Sequence, residues 1–183
     1  MPWSHVLRVY TAGPLAGASY GSDIIGMSDL ELLRMRRQVF SVVRPRSQLR
    51  SLTTLALHER DPCWRTATAP TIRWSKEIWL NQTGVFSWSL SLPTLRHAWE
   101  EVFFNQACSW RSVAGPISAL RMSLVRLGWS MDNFMTIRDD RGFIIHLGIF
   151  SPCLDQDSGQ RRLFQNVGTA FWRKTGYPPQ AML

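Results

Sequence analysis

The stretch YGSDIIGMSDLELLRMRRQVF, Tyr20 to Phe40, holds the clearest helix start in the chain. Ser28 and Glu31 have the capping-box spacing: the serine oxygen accepts from a first-turn amide, and the glutamate reaches back to the serine amide. Asp29 puts negative charge at the positive end of the helix dipole. Leu32, Met35, Val39 and Val43 then recur at three- and four-residue steps, which predicts one apolar face. Arg34, Arg36 and Arg37 are expected off that face, so this helix packs inward and offers positive charge outward. The segment predicts a helix over about 29–43, ended by Arg44-Pro45-Arg46, because the residue before proline resists the helical region.

Working outward, the same logic yields a mainly helical chain. A second helix is predicted over 47–57, with Leu49, Leu52 and Ala56 on one face. Asp61-Pro62 marks a turn or helix restart with Trp64 as an anchor. A third helix is expected over 71–80, with Pro70 in its first turn and Ile72, Trp74, Ile78 and Trp79 along it. A fourth covers about 94–106, with Leu95, Trp99, Val102 and Phe103 inward and Glu100 and Glu101 on a solvated edge. A fifth runs from Pro116 to Leu127, with Gly128 just past its end and Ile117, Leu120, Leu124 and Leu127 on one face. The pattern then changes. Residues 133–147 read as two short strands around an Asp139-Asp140-Arg141-Gly142 turn, with Trp129 packed beneath. A last helix is predicted over 160–174. The fold class is therefore mainly α, about five to six helices, with one small β-hairpin near 133–147. The expected division is a poorly defined segment 1–19, a helical unit 20–128, a hairpin plus terminal helix 129–175, and a frayed tail 176–183.

Composition bounds the function. A chain of 183 residues with 45% hydrophobic residues and nine Trp can bury a core, which argues against global disorder. The formal net charge is +8, which suggests an anionic partner, with nucleic acid the usual candidate. Lys76 and Lys174 are the only lysines, so 19 of the 21 basic residues are Arg. A GC-rich coding sequence also raises arginine, so charge alone does not choose a partner. Cys63, Cys108 and Cys153 are scattered, without zinc spacing, and read as idle thiols of a reducing compartment. No uninterrupted apolar run is long enough for a spanning helix and no secretory leader is evident, so no membrane partner and an intracellular site, nuclear or cytoplasmic, are expected.

Catalytic patterns are sparse. Asp139-Asp140 in a turn resembles the paired carboxylates that hold two divalent metals in polymerases. Yet Arg138 and Arg141 set positive charge beside them, and no upstream strand offers a third aspartate, so the pair reads as an ordinary polar turn. His5, His58, His97 and His146 share no ligand spacing with Cys or acids. No nucleotide-cradling glycine loop or nucleophile elbow occurs, and no cofactor or metal is expected. Tryptophans can stack bases, but Trp74, Trp79 and Trp99 on apolar helix faces read as core.

The succession Tyr20-Gly21-Ser22-Asp23, Gly26-Met27-Ser28 and Leu32-Leu33-Arg34-Met35-Arg36-Arg37 resembles the segment after the catalytic palm in reverse transcriptases of non-LTR (LINE-type) retroelements, dinoflagellate-like in kind. The order continues through Arg46-Ser47 to Leu57, Asp61-Pro62, Ala69-Pro70 to Trp79, and Gly115-Pro116-Ile117 to Trp129. The resemblance covers about residues 15–155 and implies a thumb and connector. The family's aromatic-x-Asp-Asp motif belongs upstream of Tyr20 and is absent, so polymerase chemistry does not carry over. What carries over is a thumb-like, sequence-independent grip on a template-primer duplex or RNA through its phosphates, next to a missing upstream palm domain. The residues implied are Arg34, Arg36, Arg37, Arg44, Arg46 and Arg50. Arginine offers a fixed fork of donors suited to phosphate oxygens. On this reading the chain is a non-catalytic fragment of such an enzyme. The alternative is a helical protein–protein interaction module with no nucleic-acid role, and a relic without a selected function is a third reading.

Overall fold

The structure, a computed structural model, describes residues 3–43, 63–84, 91–105 and 108–147. The expected helices over 47–57 and 160–174, the tail 176–183, His58 and Cys153 lie outside the described residues. The described chain is mainly helical with a small antiparallel sheet at its end. In order come α1 (Trp3–Ala12), α2 (Pro14–Ala18), α3 (Ser22–Ile25), α4 (Asp29–Val43), α5 (Trp64–Thr83), α6 (Leu92–Asn105) and α7 (Pro116–Leu127). A 3-10 turn, Trp110–Ser112, precedes α7.

The expected start of α4 forms as the sequence dictates. The Ser28 amide donates to Glu31 Oε2 at 2.8 Å, and the Glu31 amide donates to Ser28 Oγ at 3.3 Å. The Ser28 hydroxyl also donates to Glu31 Oε2 at 2.6 Å. Leu32, Met35 and Val39 of the predicted face are buried and Phe40 joins them, while the side chain of Val43 lies outside those described. Helix α7 begins at Pro116 and ends on Gly128 at φ 75°. There the Trp129 amide donates to Leu124 O at 2.9 Å and the Gly128 amide to Val125 O at 3.1 Å. This pairing ends the helix and satisfies two of its last carbonyls.

Two helical stretches differ from expectation. Residues 3–18 form α1 and α2 where no element was assigned; Leu15 is buried and Tyr10 packs on the core. Pro70 lies inside α5, not in its first turn. An interior proline removes one ladder bond and crowds the carbonyl four residues back, at a cost of about 3 kcal/mol. Burial opposes that cost: Ala67, Pro70, Trp74 and Ile78 are all buried in α5, which packs against α3 and α7. Tertiary packing overrides local propensity here.

The terminal hairpin gains a strand. β2 (Thr136–Arg138) and β3 (Ile144–His146) flank the Asp139–Gly142 turn as expected, and β1 (Ser130–Asn133) adds to β2 in the order β1-β2-β3. Alternation buries Ile137 and Ile145 on one face. These join Trp129, Met131 and Leu147 in a buried cluster that continues through Leu120, Leu124, Trp99, Leu95, Trp74, Ile78, Leu32 and Leu15. Trp74 and Trp99 are thus core residues, as their helix faces suggested, and Trp129 is buried beside the sheet, whereas Trp79 is only half-buried.

Candidate nucleic-acid interface

The implied phosphate-binding arginines divide by position. Arg44, Arg46 and Arg50 lie outside the described residues. Arg34 and Arg37 are exposed on α4, about 4.5 Å apart along the helix axis. With Leu30 and Ser41 they follow a four-, three- and four-residue spacing, so the four share one outward stripe. Among the described residues neither Arg34 nor Arg37 has a carboxylate within ion-pairing distance. Arg36 departs from the expectation that the trio lies outward. It is four residues after Leu32 and four before Phe40, both buried, and is itself half-buried. The helical period therefore puts it on the edge of the inward face, on the side of Arg126, whose pKa is lowered chiefly by burial and, to a smaller extent, by the Arg36 charge.

Acidic groups near the stripe are tied into the fold. Ser28 holds Glu31, whose pKa is lowered first by the bond from the Ser28 hydroxyl and next by the Ser28 amide, with Arg34 adding attraction. Asp29 is engaged by Arg126 of α7, whose Nε donates to Asp29 Oδ1 at 2.7 Å. Arg126 Nη1 donates to Ala67 O at 3.1 Å, and Nη2 donates to Met27 O. Its guanidinium stacks on the Trp110 ring, 4.6 Å from the centroid, a contact that adds cation–π attraction. The Arg126 side chain is only 9% exposed, whereas Asp29 is 73% exposed. Burial lowers the arginine's pKa and the carboxylate opposes that shift. No local sequence signal marks this hub, because its hydrogen-bond partners lie 59 to 99 residues away.

Among the other candidates, Asp139 serves the fold. Asp139 Oδ1 accepts from the amides of Arg141 and Phe143, each at 2.8 Å, so this carboxylate shapes the turn. Among the described residues no group of three or more His, Cys, Asp or Glu is placed to hold a metal ion. Arg138 pairs with Asp132 on the neighbouring strand. His5, His97 and His146 are exposed, Cys63 is buried and Cys108 is exposed. Glu100 pairs with Arg96 at 2.8 Å on the outer side of α6. No helix among the described residues is long and apolar enough to cross a membrane. No family model, curated protein or solved structure matches the chain.

Proposed function

We propose that α4 is a thumb-like grip for nucleic acid, taking the phosphates of a template-primer duplex or RNA without regard to sequence. The observation that carries this reading is the pair of outward guanidiniums, Arg34 and Arg37, one turn apart on a strongly basic chain. Guanidiniums bind phosphate oxygens in a fork and read no bases when they stay on the backbone. The reading assigns no catalysis to the chain, in keeping with the post-palm region that the sequence resembles. Asp139, engaged by two backbone amides, supplies a turn.

The test is fluorescence anisotropy with a labelled template-primer duplex at low salt. Wild-type protein should bind, and the Arg34→Ala/Arg37→Ala double variant should bind more weakly on every duplex sequence tried. Equal binding by the two proteins rejects α4 as the grip.

A second reading is supported by a separate observation. Tyr20, Ile24, Ile25 and Leu30 are exposed, Tyr20 at 91%, and exposed apolar groups in series fit a protein partner. On that reading duplex binding is absent, and Ile24→Ser with Ile25→Ser abolishes association with the partner while the arginine changes do not.

A further inference from the structure

We infer that Arg126 is a positioning residue for the α4 grip: it sets which face of the helix turns outward. The inference rests on the phosphate-binding reading of Arg34 and Arg37. Arg126 uses all three guanidinium nitrogens, on Asp29 Oδ1, Ala67 O and Met27 O, with the Trp110 ring against its plane. Met27 and Asp29 flank Ser28, which caps α4. Ala67 belongs to α5 and Arg126 to α7. One side chain therefore joins the start of α4 to two other helices. Asp29 lies three residues before buried Leu32, at the inward edge of α4, while Arg34 and Arg37 occupy the outer side. Holding the inner edge fixes the rotation of the helix about its axis, and so the direction of the outer stripe. Groups that bind a ligand need such a supporting shell, because small displacements of a fork lose its hydrogen bonds. An ammonium cannot replace this fork, since it is a point charge without a planar array of donors.

Two variants separate position from charge. Arg126→Lys preserves the net charge and loses the fork. Asp29→Asn removes a negative charge, so Coulomb attraction alone would tighten phosphate binding, whereas loss of position weakens it. Duplex affinity is measured by anisotropy at low salt, at a temperature where circular dichroism shows both variants folded. A merely structural role lowers the unfolding midpoint and leaves the affinity of folded protein unmoved. The expected result is that both variants bind the duplex about threefold or more weakly than wild type. Should Arg126→Lys fail to fold, Asp29→Asn decides, because that carboxylate is largely exposed. Wild-type protein that binds, with Arg126→Lys equal to it and Asp29→Asn tighter, overturns the positioning role and leaves the grip standing. Wild-type protein that does not bind removes the grip itself, and the inference with it.

Discussion

Trp74 Nε1 donates to the carbonyl oxygen of Phe134 at 2.9 Å, bridging 60 residues of sequence. The bond ties the middle of α5 to the turn between β1 and β2, and the indole is buried among the core residues. It therefore couples the helical part to the sheet. Trp74→Phe keeps an aromatic ring but removes the donor and leaves the Phe134 carbonyl unpaired. The expected loss is about 2 kcal/mol, combining the lost bond with the smaller ring. Chemical denaturation monitored by circular dichroism measures it.

The cap of α4 makes stability depend on pH. Glu31 has a lowered pKa because the Ser28 hydroxyl and amide bond its ionised form. A carboxylate held below its unfolded value contributes fully above that value, about 4.3. The contribution disappears as pH falls through the lowered folded value. The urea midpoint should decline over that acidic window. Ser28→Ala should lower stability by about 1 kcal/mol near neutral pH and flatten the acidic decline. An unchanged pH profile in Ser28→Ala would show that the Ser28 hydroxyl does not hold the Glu31 pKa down.

The geometry at Gly26 leaves no room for a larger residue. Its φ is +68°, and an added Cβ would stand 2.7 Å from the Trp110 ring and 3.3 Å from the Ala119 Cβ. The backbone strain and the clash act together, so Gly26→Ala should cost more than about 2 kcal/mol. Because Trp110 stacks on Arg126, the same variant should also blue- or red-shift tryptophan fluorescence. Thermal unfolding followed by fluorescence reads both effects.

Thr71 offers the opposite case. It is fully buried on α5, and its Oγ1 has no hydrogen-bond partner among the described residues. Thr71→Val replaces an unsatisfied hydroxyl with a methyl of similar shape. The expected gain is about 1 kcal/mol, seen as a higher denaturation midpoint. A loss would show that the hydroxyl is satisfied in solution.

Elements with local signals could be read from sequence, and those built by distant contacts could not. Ser28 with Glu31, and Pro116 with Gly128, are short-range chemistry, and both helix ends fall where that chemistry puts them. The alternation around Ile137 and Ile145 gave the β2–β3 hairpin. Pro70 misled because a proline normally opens a helix, while here buried neighbours on both sides keep α5 continuous through it. Strand β1 was missed because Ser130, Asp132 and Asn133 are poor strand formers; pairing with β2 recruits them. In the candidate interface, Arg34 and Arg37 were legible from period alone. Arg36 required knowing that Phe40 also turns inward, and Arg126 required the tertiary fold.

The most direct test of the α4 grip is the slope of log Kobs against log salt for duplex binding, wild type against Arg34→Ala/Arg37→Ala. Each phosphate contact contributes about −0.9 to that slope. Removing both guanidiniums should make the slope less steep by about 1.8, with affinity falling on all duplex sequences alike. A slope that is unchanged in the double variant, or wild-type binding that ignores salt, would contradict the assignment of Arg34 and Arg37 to phosphate.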